Sequence, residues 1–323
     1  MDLADRVKGS VLGLALGDAV GAPFEFLRAI NVPDPIPALE LPWMDAPPGS
    51  TTDDTAMARN LVRSLAERGG FDPEDLVRRH LQWFLSDPVD VGTLTRRVLI
   101  RVARGENAEA VARAVWEERG PEVSAGNGSV MYCAPLGLAY AGRPSELLEL
   151  APRLSAITHV DARCRTAVLA VALAVAGLVR GEEPEAVVRS ALDAVRDHEG
   201  GEELEHLVDV AGGARPIDGP DQGFCLFAAA VGLQALVRSA DFERGIRRVV
   251  SLGGDTDTNG AVAGALLGAL VGEQGLPVAW LGRLRDRDAI RAEAESLVPL
   301  AATGSQPGGP LTSGERGGPD TGG

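Results

Sequence analysis

The sequence predicts an all-α fold, with residues 1–300 forming one multi-helix domain. Apolar residues recur at helical spacing along most of the 323 residues, and no run alternates apolar and polar residues with the period of a strand. Hydrophobic residues make up 45% of the chain but aromatic residues only 4%, which favours closely packed helices of small residues. Residues 301–323 are rich in Gly, Pro, Ser and Thr, and we expect a disordered tail there.

Short connections separate the predicted helices, each of which is set by apolar residues at helical spacing. The helices cover residues 3–22, 56–67, 75–85, 94–103, 108–118, 130–141, 151–157, 184–196, 202–211, 223–238, 241–251 and 261–271, with a further apolar helix ending at residue 179. Residues 31–50 contain six prolines and cannot form a regular element. This loop follows no pattern that we can assign, and it is a candidate cover for a site.

The first predicted helix has glycine at every fourth position, at Gly9, Gly13, Gly17 and Gly21. Because glycine lowers helix propensity, this stripe indicates that a neighbouring backbone or a ligand approaches the helix closely. Two acids, Asp18 and Glu25, lie near the end of the helix. Solvated acids at a capped helix end are the ordinary interpretation, and an acidic site is the alternative.

Two clusters of carboxylates and hydroxyls stand at predicted helix starts far apart in the chain, in Thr52-Asp53-Asp54-Thr55 and in Gly253-Gly254-Asp255-Thr256-Asp257-Thr258-Asn259. A helix N-cap explains one acid in the first cluster but not two adjacent ones. Crowded carboxylates raise one another's pKa unless a positive charge joins them. Carboxylate and hydroxyl oxygens suit a hard divalent cation, so the sequence predicts a site for one such cation or a pair.

Three further features have both an ordinary and a functional interpretation. Asp90 lies between turn signals and is either an N-cap, which the local pattern favours, or an active-site acid. The glycine-rich loop beginning at Gly126 leads into a predicted helix and suits a phosphate group, although Gly-Asn-Gly is also ordinary turn chemistry. His159 stands at a helix start, where a lone histidine is more often structural, while His80, His198 and His206 lie in charged helical patterns.

Composition argues against several classes of partner. The formal net charge of −15 disfavours a nucleic-acid or anionic membrane surface. Charges near the N-terminus do not match a signal peptide, and the apolar run over residues 167–179 is too short to span a bilayer. Cys133, Cys164 and Cys225 lack metal-ligand spacing and are expected to be reduced, mostly buried thiols. We therefore expect a cytoplasmic protein, and a monomer.

Taken together, these segments resemble the ADP-ribosylglycohydrolase family, which includes the dinitrogenase-reductase-activating glycohydrolases. The resemblance covers about residues 3 to 295 and depends on motifs that occur in one order along the chain. The motifs are Gly17-Asp-Ala-Val-Gly-Ala-Pro-Phe-Glu25, Thr52-Asp-Asp-Thr55, Asp90-Val-Gly92, Gly126-Asn127-Gly128-Ser129-Val-Met131 with Ala134-Pro-Leu136, Thr158-His159 and Gly253-Gly-Asp-Thr-Asp-Thr-Asn259.

The resemblance implies an all-helical hydrolase that holds two magnesium or manganese ions and releases ADP-ribose from an acceptor. The implied metal ligands come from two segments, Thr52, Asp53 and Asp54 on one side and Asp255, Asp257 and Thr258 on the other. Among the acids, Asp90 is the expected proton-transfer group. Glu25 is expected to lie behind the metal ligands or to act as a gating acid. Asp54 and Asp255 are counted as catalytic residues as well. The amides of Gly126, Asn127, Gly128 and Ser129 would hold the diphosphate, and His159 would bind the distal ribose or a phosphate.

The acceptor stays open at this point. ADP-ribose linked to arginine, serine or acetyl groups, or carried on a nucleic acid or a small molecule, fits these residues, and arginine is the first candidate. Family members often have arginine after the methionine of the Gly-Asn-Gly motif, where this chain has Tyr132. The tyrosine indicates either that the side chains around it are repacked or that the range of substrates differs. Two other functions are a non-catalytic ADP-ribose or nucleotide reader and a metal-dependent nucleotide phosphohydrolase.

Overall fold

The structure, a computed structural model, describes residues 1–211 and 217–304 and is helical over most of that length. The α-helices are α1 Leu3–Gly21, α2 Asp53–Arg68, α3 Pro73–Phe84, α4 Thr93–Val102, α5 Ala108–Arg119, α6 Ala134–Ala139, α7 Leu147–Ala156, α8 Ala162–Val179, α9 Pro184–Val195, α10 Gly201–Ala211, α11 Cys225–Arg238, α12 Phe242–Val250, α13 Thr256–Val271, α14 Val278–Leu281, α15 Arg287–Ser296 and α16 Val298–Ala302. Short 3-10 turns lie at Ala22–Phe24, Ala29–Asn31, Pro121–Val123, Pro144–Glu146 and Glu273–Gly275. The predicted all-α class is confirmed.

Helices α1 and α13 pack backbone to backbone along the glycine stripe. A Cβ added at Gly13 would lie 2.2 Å from the carbonyl oxygen of Gly264, and one added at Gly264 would lie 2.1 Å from that of Gly13. Gly9 faces Gly268 in the same way, and Gly17 faces Gly260. The stripe therefore does what its spacing predicts, and the close approach brings the end of α1 to the start of α13.

A two-residue antiparallel ladder holds the segment after α1 against the segment before α13. In it, β1 (Leu27–Arg28) pairs with β2 (Gly253–Gly254), and the Phe26 amide donates to the Gly254 carbonyl at 2.7 Å. Gly253 and Gly254 have φ values of 70° and 76°, a region that favours glycine. The ladder therefore places Glu25, just before β1, beside Asp255, just after β2.

The core is formed by apolar helices that surround this pair. By length and composition α8 could cross a membrane, since it extends the apolar run to 18 residues, but 78% of it is buried inside the fold. It packs against α6, α7, α9, α11 and α13. This is the pattern of a core helix, and burial on all sides explains its nearly continuous apolar sequence.

Several boundaries differ from those that the sequence predicts. Ala301 and Ala302 belong to α16, so a tail starting at residue 301 begins too early, and residues 305–323 lie outside the described part of the chain. No helix starts directly after Ser129, because residues 130–133 form turns and α6 begins at Ala134, where Pro135 fits the first turn. The proline-rich loop over residues 32–52 is irregular, as predicted.

Candidate functional site

Asp18, in the last turn of α1, fixes the start of α2. Its carboxylate accepts hydrogen bonds from the amides of Thr52 and Thr55 at 3.1 Å, and from the Thr55 hydroxyl at 2.5 Å. The side chain is fully buried, and burial raises its pKa to about 6 despite these bonds. Solvated acids were the ordinary interpretation of this helix end, and for Asp18 that interpretation is wrong because α2 covers it.

The first acidic cluster occupies the N-terminus of α2. Thr52 is the N-cap, and its Oγ1 accepts from the Asp54 amide at 3.3 Å and lies 3.1 Å from Asp54 Oδ2. Asp53 and Asp54 are both buried, and Asp53 Oδ2 accepts from the Gly92 amide at 3.1 Å. The N-cap therefore accounts for Thr52 and leaves two buried carboxylates at one helix end.

The second acidic cluster occupies the N-terminus of α13. Asp255 Oδ2 accepts from the side-chain amide of Asn127 at 2.9 Å. Asp257 and Thr258 are buried in the first turn, while the Thr256 hydroxyl donates to the Gly21 carbonyl at 2.8 Å and ties α13 to α1. The helix pair thus presents this cluster and the start of α2 on one side of the fold.

Glu25 converges with two acids of the second cluster. One oxygen each from Glu25, Asp255 and Asp257 lies within 4.8 Å of the others, a spacing that one cation can bridge. Glu25 is therefore itself part of the candidate metal group, whereas the sequence predicted an acid behind the ligands. The indole Nε1 of Trp43 donates to Glu25 Oε2 at 3.3 Å, so the proline-rich loop does reach the site.

Without a cation these acids repel one another and resist ionisation. Burial, with the charges of Asp255 and Asp90, raises the pKa of Glu25 to about 8. Burial, with the charge of Asp90, raises the pKa of Asp53 to about 7. The pKa values of Asp54 and Asp257 rise well above the ordinary range for the same two reasons, burial first and neighbouring carboxylates second.

Orphaned oxygens show that the chemistry of the group fits a divalent cation. Asp54 Oδ1 and Asp257 Oδ1 are buried and have no hydrogen-bond partner among the described residues, as is also true of the side-chain amide of Asn259. Buried polar atoms are normally paired, so unpaired carboxylate oxygens aimed at like charges indicate a missing positive partner. Oxygen donors without sulfur or nitrogen suit hard divalent cations such as magnesium, calcium or manganese.

Asp90 does not cap a helix. Helix α4 begins at Thr93 with Gly92 as the N-cap residue, so the N-cap interpretation of Asp90 is wrong. The half-buried Asp90 carboxyl has a pKa raised by burial, and its charge also acts on Glu25 and Asp53. The interpretation of Asp90 as an active-site acid stays a prediction.

The glycine-rich loop supports the site in a different way from that predicted. The Asn127 amide donates to the Gly223 carbonyl at 3.0 Å and is not accessible to a phosphate. The Ser129 hydroxyl is fully buried and lies 2.9 Å from the hydroxyl of Ser155. Asn127 therefore acts through its side chain, which holds Asp255. The predicted phosphate contacts of the Gly126, Gly128 and Ser129 amides stay predictions.

His159 packs against these two glycines. A Cβ added at Gly128 would lie 3.1 Å from His159 Nε2, and one added at Gly126 would lie 3.5 Å from it. Nδ1 lies 2.8 Å from the Thr158 hydroxyl, and burial lowers the pKa of His159 to about 4. The ring is therefore neutral at pH 7 and can exchange a hydrogen bond with a ligand but not a charge.

Tyr132 lies in the core and not at the site. Its ring is fully buried and meets His80 edge to face, with 5.2 Å between ring centroids. His80 is itself buried beside Asn60, not in ordinary charged surroundings as its sequence pattern indicated. The local repacking interpretation of Tyr132 is therefore the one that the packing favours.

Two residues that position the site, Trp43 and Thr256, receive no functional interpretation from the sequence, and for Asp18 the sequence leaves a solvated acid and an acidic site open. The place of Asp18 beside Gly17 and Gly21 on the tightly packed α1 is a signal of burial. Trp43 gave no signal, because only the folded loop brings it to Glu25. Thr256 lies in sequence between the predicted metal ligands Asp255 and Asp257, but its hydroxyl donates to the Gly21 carbonyl. This contact depends on the packing of α13 on α1, which the local sequence does not show.

We expect the metal-free protein to lose stability as the pH rises from about 6.5 to 8.5. The folded chain keeps protons on Asp53 and Glu25, with pKa values of about 7 and about 8, that the unfolded chain has already released. The buried histidines act in the opposite direction, but only below the unfolded histidine pKa of about 6.5. Melting temperatures with EDTA should fall across this window, and Mg²⁺ or Mn²⁺ should raise them more at the higher pH.

The matched variant for this measurement is Glu25→Gln, which removes one carboxyl while keeping an acceptor for Trp43. Its metal-free melting temperature should change less between these two pH values than that of the unchanged protein. An equal slope in both proteins, or a metal effect independent of pH, contradicts this electrostatic account.

Comparisons with known proteins agree with one another. The ADP-ribosylglycohydrolase family model matches residues 1–307. The ADP-ribosyl-[dinitrogen reductase] glycohydrolase of Rhodospirillum rubrum is 31% identical over 92% of this chain and 97% of its own length, and the ADP-ribosylarginine hydrolase Tri1 of Pseudomonas putida is 28% identical over 92% and 79%. A solved chain titled "ADP-ribosylglycohydrolase-related protein complex" superposes with a TM-score of 0.78 at 35% identity, covering 93% of this chain and 99% of that one.

Proposed function

Because this chain belongs to the ADP-ribosylglycohydrolase family, we propose that it hydrolyses the glycosidic bond between ADP-ribose and an acceptor and releases free ADP-ribose. The observation that carries this proposal is the gathering of Glu25, Asp255 and Asp257 within 4.8 Å, beside Asp90. A cluster of this kind has a large electrostatic cost, and a protein that only binds a nucleotide has no need of it.

The proposed cofactors are two divalent cations, Mg²⁺ or Mn²⁺. Asp53, Asp54, Asp255 and Asp257 would hold them with Glu25, and the hydroxyls of Thr52 and Thr258 complete the donor set. When bound, such ions orient ribose hydroxyls and lower the pKa of a nucleophilic water. Hydrogen bonds from neighbouring residues keep the donors in place. The side-chain amide of Asn127 donates to Asp255, and the backbone amide of Gly92 donates to Asp53.

Asp90 is the proposed proton-transfer group. It is half-buried, has a raised pKa and does not belong to the group of three acids. A carboxyl with a raised pKa can give a proton to the leaving acceptor or take one from the attacking water. Gly126, Gly128 and the neutral His159 would line the part of the site that receives the ADP-ribose phosphates and distal ribose.

Arginine-linked ADP-ribose is the first proposed substrate, because a relative that matches 92% of this chain over 79% of its own length is named an ADP-ribosylarginine hydrolase. The direct test is a panel of arginine-, serine- and acetyl-linked ADP-ribose, each with Mg²⁺, Mn²⁺, Ca²⁺ or EDTA, followed by chromatography of the products. Metal-dependent release of free ADP-ribose supports the proposal. Release of phosphate or AMP would indicate a phosphohydrolase, and tight binding without products would indicate a reader.

We expect Asp90→Asn to lower kcat by about 10²- to 10⁴-fold, the usual contribution of general acid–base catalysis. The metal-induced rise in melting temperature should remain, because the grouped acids Glu25, Asp255 and Asp257 are unchanged. Asp87→Asn is the matched control, since Asp87 is an exposed acid of the same loop. Equal activity of the two variants would remove Asp90 from the mechanism and leave Glu25 as the candidate.

The net charge of −15 supports a protein or small-molecule substrate over a nucleic acid. The three cysteines are free and buried, which supports the further proposal of a cytoplasmic location. A monomer is proposed as well, and size-exclusion chromatography with light scattering tests it.

A further inference from the structure

A cavity of about 450 Å³ lies between the loop that follows β1 and the helices α11 and α12. None of the site acids is among the described residues that line it, so it is separate from the candidate active site. Its size is within the range of sites for small organic ligands, roughly 300–1,000 Å³.

The cavity is basic although the protein is acidic. Arg238, Arg244, Arg247 and Arg248 line it, against one acid, Asp34. Arg244, Arg247 and Arg248 follow one another at helical spacing and so lie on one face of α12. Glu243 pairs with Arg247, and the guanidinium groups of Arg238 and Arg244 add positive charge to the lining, which favours an anionic occupant.

One of these arginines, Arg247, is held in position by three contacts. Arg247 Nη2 lies 2.8 Å from Glu243 Oε1, its Nη1 donates to the Ile36 carbonyl, and its guanidinium stacks over Trp280 at 5.4 Å from the ring centroid. Its geometry is therefore set before any ligand binds, and it joins the loop to α12. Preorganised guanidinium groups bind phosphate with less loss of entropy.

Two other arginines are available to a ligand. Arg238, in the last turn of α11, and Arg244, in the first turn of α12, are exposed. Within residues 1–211 and 217–304, neither guanidinium forms an ion pair with a carboxylate. Guanidinium groups make paired, charge-assisted hydrogen bonds to phosphate oxygens.

Another part of the lining, the apolar wall, comes from the loop after β1. Val32, Pro33 and Ile36 line the cavity there. A ligand that fits both parts of the lining carries phosphate at one end and an apolar or aromatic ring at the other.

We propose that this cavity is a second binding site, for a phosphate-bearing small molecule such as a nucleotide, with Arg238 and Arg244 as the phosphate ligands. The loop that forms its apolar wall continues directly from β1, and the Ala29 amide at its start is held by Asp218 at 2.8 Å. The cavity and Glu25 are therefore connected through the backbone of β1, but the Glu25 side chain does not line the cavity.

Isothermal titration of the metal-loaded protein with ADP, inorganic phosphate and adenosine tests the proposal. The variants are the double change Arg238→Gln with Arg244→Gln, and the control Arg104→Gln with Arg113→Gln, which removes the same charge from exposed arginines outside the cavity. Asp255→Asn separates this site from the acidic one. Circular dichroism and melting temperature check that every variant is folded.

We expect the affinity for ADP at this cavity to fall at least tenfold in the Arg238/Arg244 variant and to be unchanged in the Arg104/Arg113 control. In Asp255→Asn, one ADP-binding event should remain with unchanged affinity. Inorganic phosphate should compete, and adenosine should bind more weakly than ADP. The proposal is overturned if the two double variants bind ADP equally, if adenosine binds as tightly as ADP, if ADP does not bind at all, or if Asp255→Asn abolishes all binding.

Discussion

Asp255→Asn is expected to lower turnover by about 10³-fold or more while leaving the helical fold intact. Asp255 is the acid on which the site converges, because it shares the group of three with Glu25 and Asp257 and is held by Asn127 at 2.9 Å. Asparagine keeps the shape and can still accept from Asn127, but it removes a negative charge from the metal donors. The loss of several kcal/mol of charge stabilisation corresponds to about a thousandfold in rate.

The measurement is release of ADP-ribose with saturating Mg²⁺ or Mn²⁺, together with metal binding followed by calorimetry. Asp53→Ala should have a similar effect from the other segment, because Asp53 is buried at the start of α2. Asp288→Asn, an exposed acid on α15, is the control and should retain full activity. Substantial turnover by either site variant with metal present would refute the two-metal proposal.

Gly13→Ala is expected to destabilise the fold by about 3 kcal/mol or more, a large effect for one methyl group. The new Cβ would lie 2.2 Å from the Gly264 carbonyl oxygen and 3.0 Å from the Gly268 Cα, and a backbone cannot turn aside as a side chain does. The helices must separate, and the loss of contact spreads along the stripe. Because Asp18 lies on α1 and Asp257 on α13, separation should also weaken metal binding.

Urea denaturation measures this change, and Gly282→Ala is its control. Gly282 has a φ of −67°, and an added Cβ there would meet its nearest atom at 3.4 Å, so the expected change is within about 0.5 kcal/mol. Gly264→Ala probes the same contact from α13 and should match Gly13→Ala. An unchanged midpoint in either variant would contradict the close packing of α1 and α13.

Local sequence was sufficient wherever one segment carries its own signal. The helical period of apolar residues set the fold class, and glycine at every fourth position predicted a close backbone contact on α1. Clusters of carboxylates and hydroxyls at two helix starts predicted crowded acids and hence a cation. The order of the motifs predicted the family, which the comparison over residues 1–307 confirms.

Where two interpretations of a residue differed only in its surroundings, local pattern favoured the wrong one. Asp18 resembles a solvated acid at a helix end, and only the packing of α2 over it shows otherwise. Asp90 resembles an N-cap, and only the observed start of α4 at Thr93 excludes this. The first error arises because burial depends on neighbours that are distant in the chain, and the second because a local pattern does not fix the first residue of a helix.

The sequence by itself determined which residues can carry charge into the fold and which helices present them. Only the tertiary structure decided that Glu25 joins Asp255 and Asp257, that Trp43 reaches Glu25, and that Asn127 uses its side chain to hold Asp255. The physical reason is that helix propensity acts over a few neighbouring residues, whereas an electrostatic site depends on distances of a few ångströms between groups far apart in sequence. The packing of α1 on α13 and the β1–β2 ladder set those distances.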